Sequence, residues 1–221
     1  MMLSTEDFAA LPLEVVFADD AIVVLNKPSG LLTVPGRGPE KADCLSKRVQ
    51  ARYPDALIVH RLDRDTSGLV VLARGLPAQR VLNLAFEQRR VDKRYTAVVT
   101  GLLALDGQWQ EIDLPMLVDW PNRPKRTINH AEGQSALTRW RCTAVDAAAN
   151  TSRVELEPVT GRTHQLRVHM QAIGHPMVGD TLYAPPEVQA QADRLLLHSG
   201  LLSFPHPVTG EVHEYTVAPA F

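Results

Sequence analysis

Residues 56–72 read ALIVHRLDRDTSGLVVL, two short apolar segments on either side of a polar loop. The apolar segments, 56–59 and 68–72, have the length of short buried strands. The loop between them carries Asp63 among arginines and a histidine and ends in a Thr-Ser-Gly turn. Such a loop presents a side chain from a rigid scaffold, and neighbouring guanidinium charge favours the ionised carboxylate that nucleophilic catalysis needs. Asp63 is therefore a candidate functional residue, with a salt-bridged surface loop as the alternative.

Upstream of this loop, the sequence predicts a hairpin and a helix. Residues 14–17 and 22–25 are apolar runs separated by an Asp-rich turn, which is typical of a β-hairpin. A Pro-Ser-Gly turn follows at residues 28–30. Residues 45–53 then predict a short helix that ends before a proline.

Downstream of the loop, helices and strands follow without regular alternation. Pro77 suits the first turn of a helix that runs to about Arg90, and Thr163 is predicted to cap a helix that ends at Gly174. Strand-like segments are predicted at residues 95–103, 136–145, 153–157 and within 201–221. This order favours an α+β fold with a mixed, largely antiparallel central sheet flanked by helices and loops. We predict one catalytic domain over residues 1–221, with an extended surface loop at residues 120–125.

The charge of the chain limits how it can bind nucleic acid. The net charge of −2 argues against binding through a general excess of positive charge. Positive charge is nevertheless clustered at Arg89, Arg90, Lys93 and Arg94 and, beside Trp120, at Arg123, Lys125 and Arg126. For each cluster, a solvated charged face is the alternative.

Cysteine usage and the N-terminal residues bear on the cellular compartment. Cys44 and Cys142 lie far apart without metal-ligand spacing, so neither a disulfide framework nor a zinc site is expected. The N-terminus is acidic where a signal peptide is basic, and no run of about 18 apolar residues occurs. We therefore expect a cytoplasmic protein that makes no membrane contact.

A second segment with chemical potential is GRTHQLRVH, residues 161–169, at the start of a predicted helix. Helix N-termini attract anions, so its arginines can hold a phosphate or a carboxylate from another loop. His164 and His169 are five residues apart and do not share a helix face as an i, i+4 pair does, so no metal site is expected. The chain also lacks the glycine-rich motifs that bind dinucleotides or nucleotide phosphates.

Four segments together resemble the successive motifs of the RluA family of pseudouridine synthases. They are, in matching order and spacing, residues 27–32 (KPSGLL), 60–68 (HRLD followed by TSG), 93–95 (KRY) and 161–167 (GRTHQLR). The similarity runs from about Val15 to the C-terminus and implies a single catalytic domain without an S4 domain. Within the family, the length of the chain and the sequence of residues 119–125 resemble those of the members that modify 23S rRNA and the tRNA anticodon stem-loop.

The resemblance also implies a role for each site residue. Asp63 corresponds to the catalytic nucleophile, Tyr95 to the aromatic residue against the target uracil, and Arg167 to the basic partner of Asp63. Further RNA contacts are expected from Arg61, which would enter the space left by the extruded nucleotide, and from His60, Arg123, Lys125 and Arg126. The turn at residues 27–30 would mainly give structural support. As ordinary alternatives, Tyr95 suits a buried strand and His60 a hydrogen-bonded core position.

Pseudouridine formation breaks the N1–C1′ bond, rotates the uracil and forms a C5–C1′ bond. The target nucleotide has to leave the stack, because its base and glycosidic bond are inaccessible there. Asp63 would attack C6 of the ring or act at C1′ of the ribose, and the sequence does not distinguish the two. Tyr95 is a candidate base for the C5 proton. No redox or phosphoryl transfer is involved, so neither a cofactor nor a metal is expected.

Two other functions fit parts of the sequence. Asp63-Arg64-Asp65 superficially resembles the paired aspartates of Mg²⁺-dependent haloacid-dehalogenase-like phosphatases, although Ser67 stands where that motif has Thr or Val. A non-catalytic RNA-binding module would use the basic clusters and Trp120, with the Asp63 loop purely structural. Phosphatase activity or uridine isomerisation by the purified protein distinguishes these functions. We expect a monomer, and the sequence leaves the exact uridine sites open.

Overall fold

The computed structural model describes residues 5–38 and 41–221. The chain packs as two compact units. The first comprises the described residues up to Lys93 together with Ser199–Ala220, and the second comprises Arg94–His198 with Phe221. In the described part of the chain the longest helix has 13 residues, fewer than the roughly 20 apolar residues of a membrane-spanning helix.

The secondary structure contains more strand than helix. The helices are α1 (Thr5–Ala10), α2 (Leu45–Arg52), α3 (Gly75–Glu87), α4 (Gln165–Ala172) and α5 (Pro186–Gln189). The strands are β1 (Val15–Ala18), β2 (Ile22–Lys27), β3 (Ala56–Ile58), β4 (Ser67–Arg74), β5 (Asp92–Thr100), β6 (Gln110–Asp113), β7 (Met116–Val118), β8 (Arg126–Ile128), β9 (Leu137–Asp146), β10 (Thr151–Pro158), β11 (Leu197–Pro205) and β12 (Val212–Thr216).

The sheet of the first unit runs in the order β1-β2-β4-β11, with β3 paired to β4 and β12 to β11. The pairs β1–β2, β2–β4, β3–β4 and β11–β12 are antiparallel. Strands β2 and β4 are almost entirely buried, which explains why both read as continuous apolar runs. The polar loop after β3 therefore leaves and re-enters a rigid part of the sheet.

Helix α3 packs against this sheet. Its buried residues Ala78, Leu82 and Ala85 recur at helical spacing and share one hydrophobic cluster with residues such as Val24 and Val71. Burying a leucine side chain as completely as Leu82 stabilises the fold by about 2 kcal/mol. The helix thus fixes the strands from which the polar loop extends.

The second unit contains a sheet in the order β5-β10-β9-β6 and a separate hairpin, β7–β8. The pairs β5–β10, β9–β10 and β6–β9 are antiparallel. Along β10, buried Ser152, Val154 and Leu156 alternate with partly exposed charged residues, so one face of the strand meets the core. Strand β5 pairs Tyr95 with Leu156 of β10.

The structure confirms the α+β class and most predicted elements. The β1–β2 hairpin, helices α2 and α3, and the strands predicted at 95–103, 136–145 and 153–157 are present with shifts of a few residues. The cap predicted for α4 is wrong, because the helix begins after His164, whose φ of 60° is left-handed, without a side-chain cap bond. Helices α1 and α5 and strands β6 to β8 were not predicted. The single catalytic domain over 1–221 without an S4 domain stays a prediction.

Candidate active site and RNA-contact residues

The loop that carries Asp63 lies between β3 and β4 and contacts the turn at residues 27–33. Before Asp63, Thr33 Oγ1 donates a hydrogen bond to Leu62 O (2.7 Å) and accepts one from Leu62 N–H (3.2 Å). Thr33 and the Leu62 side chain are both buried. The backbone of the residue that precedes Asp63 is therefore fixed by two hydrogen bonds and by packing.

After Asp63, the same turn binds the next two residues of the loop. Gly30 N–H donates to Arg64 O (2.9 Å), and the Ser29 hydroxyl donates to Asp65 O (2.7 Å). The loop has no regular secondary structure at Asp63. Its backbone is nevertheless bonded on both sides of that residue, which gives the half-buried carboxylate a defined position.

Lys27 completes this support from within the first unit. Its side chain is fully buried, and Nζ donates hydrogen bonds to Pro28 O (2.9 Å), Leu31 O (2.8 Å) and Arg64 O (2.9 Å). A buried ammonium is costly unless such bonds replace water. The prediction that the 27–30 turn gives structural support is confirmed for the Asp63 loop.

The residues around Asp63 differ in their exposure and partners. Arg61 is exposed to solvent. Arg64 forms a two-point ion pair with the adjacent Asp65, with Nε 2.8 Å from Oδ1 and Nη2 3.2 Å from Oδ2. The Asp65 carboxylate is thus paired with the side chain of its neighbour.

Gly68 ends the loop at a point of close chain approach. Its φ is +111°, and a Cβ added there would lie 2.3 Å from Ser199 O. Only glycine avoids both the strain and the clash. Thr66 and Ser67 are buried just before it, so the predicted Thr-Ser-Gly turn returns the chain directly into β4.

His60 lies at the start of the loop in a structural environment. Its Nε2 accepts a hydrogen bond from Val71 N–H (3.1 Å), and its ring stacks on Phe86 with centroids 4.7 Å apart. Burial, with a smaller contribution from the charge of Lys93, lowers the pKa of His60 to about 3. Burial also lowers the pKa of Lys93, partly offset by Asp92. His60 is therefore neutral near pH 7, and its predicted RNA contact stays a prediction.

In the second unit, Arg167 lies on α4 and is only 2% exposed. Its Nε and Nη2 donate to Asp180 Oδ2 (2.8 Å) and Oδ1 (2.6 Å), a two-point pair with a fully buried carboxylate. Asp180 Oδ1 also accepts hydrogen bonds from Leu182 N–H (2.9 Å) and Tyr183 N–H (3.1 Å). These contacts do not involve Asp63, so the predicted pairing of Arg167 with Asp63 stays a prediction.

Tyr183 connects Arg167 with two other segments of the second unit. The guanidinium carbon of Arg167 is 5.0 Å from the centroid of its ring. Its hydroxyl accepts a hydrogen bond from Arg126 N–H (2.9 Å) and lies 2.7 Å from His164 Nδ1. One aromatic side chain thereby contacts α4, the residue before α4 and the start of β8.

The start of α4 is held by a glutamine instead of the predicted threonine cap. Gln165 Oε1 accepts hydrogen bonds from Arg162 N–H (3.0 Å) and the Thr160 hydroxyl (2.7 Å). Further along α4, the ring nitrogens of His169 lie 2.9 Å from Thr138 Oγ1 and 3.0 Å from Leu114 O. Burial lowers the pKa of His169. Both nitrogens are therefore engaged in the core.

Tyr95 lies on β5 and is 9% exposed. This burial agrees with the alternative that Tyr95 occupies a buried strand position. Its predicted contact with uracil stays a prediction.

No cluster of three or more His, Cys, Asp or Glu that could hold a metal occurs within the described ranges 5–38 and 41–221. The expectation that the reaction needs neither metal nor cofactor also stays a prediction.

The predicted surface loop at 120–125 forms the tip of the β7–β8 hairpin. Asp119 accepts hydrogen bonds from the Asn122 backbone and side chain and donates its own N–H to Lys125 O. Trp120 is 62% exposed, and the Arg123 guanidinium lies 3.9 Å from the centroid of its ring. The tip thus presents an aromatic surface and positive charge on a hydrogen-bonded backbone.

The predicted site residues fall into two groups. The first unit places His60, Arg61 and Asp63 on one loop, and the second unit contains Tyr95, Arg123, Lys125, Arg126 and Arg167. Within the second unit, Tyr183 links Arg126 with Arg167. Sequence reasoning did not assign roles to Asp180, Tyr183 or Gln165. Asp180 lies within the stretch from about Val15 to the C-terminus that resembles the family, and this resemblance was the only signal in the sequence that could have pointed to it.

Comparisons with known proteins identify the family. A family model described as RNA pseudouridylate synthase matches residues 21–172. Proteins named "Dual-specificity RNA pseudouridine synthase RluA" are 49% identical in an Escherichia coli strain and 50% in Yersinia pestis. These alignments cover 90% and 89% of this chain and 89% and 94% of the two relatives, respectively.

A solved structure supports the same assignment. The structure of "Human RNA Pseudouridylate Synthase Domain Containing 1" matches with a TM-score of 0.78 at 27% identity, covering 100% of this chain and 87% of the human one. These matches support neither the phosphatase nor the non-catalytic RNA-binding module. Since the family model covers more than half of the chain and relatives reach about half identity over most of it, the chain belongs to the RluA family of RNA pseudouridine synthases.

Proposed function

We propose that this pseudouridine synthase modifies two kinds of structured RNA, a uridine in 23S rRNA and one in the tRNA anticodon stem-loop. The relatives' name, dual-specificity, supports two kinds of RNA substrate. Asp63 supplies the reactive group. Its placement in a loop whose backbone is bonded at Leu62, Arg64 and Asp65 is the observation that most directly favours this role.

The reaction needs a nucleophile and a proton relay but no change of oxidation state. The N1–C1′ bond breaks, the uracil rotates, and C5 bonds to C1′. The proton on C5 then leaves, and N1 ends with a proton, so the product is an isomer of the substrate. Asp63 attacks C6 of the uracil or C1′ of the ribose, and both routes require an ionised, well-positioned carboxylate. Tyr95 faces the uracil and serves as the base or proton relay for C5.

Arg167 acts as the basic partner of the Asp63 carboxylate. A guanidinium stays charged at all relevant pH values and holds a carboxylate in a defined orientation through paired donors. Nε and Nη2 of Arg167 donate to Asp180. This pair orients the guanidinium within the second unit.

RNA binding combines local positive charge with base stacking. Arg61, exposed beside Asp63, enters the space that the flipped nucleotide leaves. Arg123, Lys125 and Arg126 contact phosphates, and exposed Trp120 next to Arg123 is suited to stacking on a base. His60 contributes as a neutral hydrogen-bonding group at the edge of the loop, since its pKa is lowered to about 3.

The remaining properties follow from the same chemistry. We propose that the enzyme works as a cytoplasmic monomer without metal or cofactor. Incubation of the purified protein with unmodified 23S rRNA and tRNA transcripts, followed by mapping of pseudouridine, tests reaction and site together. Modification of only one RNA class would contradict dual specificity, and modification of neither would contradict the proposed substrates.

Two substitutions test the role of Asp63. Asp63→Asn should abolish pseudouridine formation and leave folding and RNA affinity largely intact, because the amide keeps the shape but loses the charge and nucleophilicity. Asp65→Asn is the matched control and should retain substantial activity, since Asp65 is paired with Arg64. Single-turnover conversion, RNA affinity and thermal unfolding are measured for both. Appreciable conversion by Asp63→Asn, free of wild-type and deamidated protein, would exclude Asp63 as the nucleophile.

A further inference from the structure

The carboxylate of Asp180 forms a two-point ion pair with the Arg167 side chain. Both of its oxygens accept from the guanidinium, at 2.6 and 2.8 Å, and both residues are almost completely buried. Planar, two-point pairs of this kind fix the orientation of the guanidinium as well as its position. Arg167 therefore has one defined orientation in the second unit.

Asp180 is itself held by the backbone that follows it. Leu182 N–H and Tyr183 N–H both donate to its Oδ1, so the carboxylate caps the turn at residues 180–183. The Tyr183 ring then lies against Arg167, with the guanidinium carbon 5.0 Å from the ring centroid. The two side chains limit the guanidinium from its edge and from its face.

The contribution of this buried pair to the free energy of folding does not by itself explain its presence. The free energy lost by desolvating both charges offsets much of the attraction within a buried ion pair. A protein with apolar residues of similar volume in place of the pair is often as stable. The pair does, however, restrict a long and flexible arginine to one conformation. Such restriction is useful where the guanidinium has to meet a reacting group in a fixed geometry.

We propose that Asp180 is a positioning residue for catalysis, which acts by orienting Arg167, with the Tyr183 ring as a second support. The inference rests on the proposed role of Arg167 in the reaction. Asp180 itself touches neither RNA nor the reacting atoms. Its loss should therefore slow the chemical step through Arg167 and leave the affinity for RNA nearly unchanged.

The test compares Asp180→Asn, Arg167→Ala and the double variant with the wild type. A prefolded, unmodified RNA stem-loop serves as substrate, and the single-turnover rate constant and the RNA dissociation constant are measured separately. Asp180→Asn should lower the rate constant by about 100-fold, because the amide removes one acceptor and the charge that aligns Arg167. The double variant should be only as slow as Arg167→Ala, because Asp180 has nothing to orient once Arg167 is absent.

Asp43→Asn provides a matched control. Arg48 donates to Asp43 through Nε (2.8 Å) and Nη2 (2.6 Å), the same two-point geometry at a distant position in the sequence. This substitution should leave the rate constant at the wild-type value. An equal loss in Asp43→Asn and Asp180→Asn would overturn the inference, since both would then act through general destabilisation.

The outcomes separate this inference from the proposed function. A wild-type rate in Asp180→Asn, together with a slow Arg167→Ala, would overturn the inference alone. Rate losses that multiply in the double variant would do so too, because Asp180 would then act independently of Arg167. A wild-type rate in Arg167→Ala would overturn the catalytic role of Arg167 and the inference with it. If Asp180→Asn does not fold, equal rates in Arg167→Ala and the double variant still support the inference, and a further drop overturns it.

Discussion

Replacing Lys27 by methionine tests whether the buried ammonium fixes the Asp63 loop. Methionine has a similar length and fills most of the volume, but it donates no hydrogen bond. The substitution removes the donor for Pro28 O, Leu31 O and Arg64 O. The last of these carbonyls belongs to the residue that follows Asp63, so stability and catalysis should both respond.

The size of the effect follows from the three bonds. Hydrogen bonds from a charged donor each contribute about 1.5 kcal/mol, which gives a gross loss of about 4.5 kcal/mol. Part of this loss is regained because the lysine no longer has to be desolvated. We therefore expect the free energy of unfolding to fall by about 3 kcal/mol. For a chain of 221 residues this lowers Tm by about 6–12 °C.

Denaturant and thermal unfolding measure this change, and single-turnover assays below the Tm of the variant measure the rate constant. Lys47→Met is the matched control, because Lys47 is exposed on α2 and its replacement should change stability by less than about 0.5 kcal/mol. A Lys27→Met protein as stable and as active as the Lys47→Met protein would refute the structural role of the ammonium. A stable but slow Lys27→Met protein would place the role in loop geometry alone.

Three further predictions concern pH, salt and metal. The His60 pKa is lowered from 6.5 to about 3, so between these pH values the unfolded chain binds a proton that the folded chain does not. Within this window, stability should fall with decreasing pH by about 1.4 kcal/mol per unit. His60→Gln, which keeps an acceptor for Val71 N–H, should flatten this dependence in pH-resolved unfolding experiments. Joint replacement of Arg123, Lys125 and Arg126 by alanine should reduce the slope of log affinity against log salt by about 2, and an unchanged slope would remove the hairpin tip from the interface. Turnover of a prefolded RNA should persist in excess EDTA, and loss of turnover while the RNA stays folded would contradict a metal-free reaction.

The Asp63 loop could be predicted because its signals are local. Two apolar runs mark β3 and β4, and the Thr-Ser-Gly turn returns the chain to the sheet at Gly68. The support from Lys27 was foreseen only as a turn with a structural role. Its three carbonyl partners depend on how the first unit folds around the side chain, and no spacing along the sequence encodes that arrangement.

The errors arose where tertiary contacts replaced local preferences. Thr163 has the character of an N-cap, but the N-cap position is taken by His164, and the Gln165 side chain accepts a hydrogen bond from the N–H of Arg162 ahead of the helix. The pair of Arg167 with Asp180 was not foreseen, because the two residues are 13 positions apart, outside any helical or strand periodicity. Strands β7 and β8 have only three residues each, which is too short for a periodic pattern to stand out.

The net charge of −2 is compatible with RNA binding because carboxylates neutralise particular arginines and leave others unpaired. Ion pairs such as Arg48–Asp43, Arg141–Glu155 and Arg167–Asp180 cancel positive charge within each unit. A compact pair of this kind produces little field beyond about 8 Å at physiological salt. In contrast, Arg61, Arg123 and Lys125 make no ion pair with a carboxylate of the described residues, and Arg123 instead contacts the exposed ring of Trp120. The positive potential available to RNA is therefore set by a few unpaired side chains, and the salt dependence of binding should follow those side chains and not the total charge.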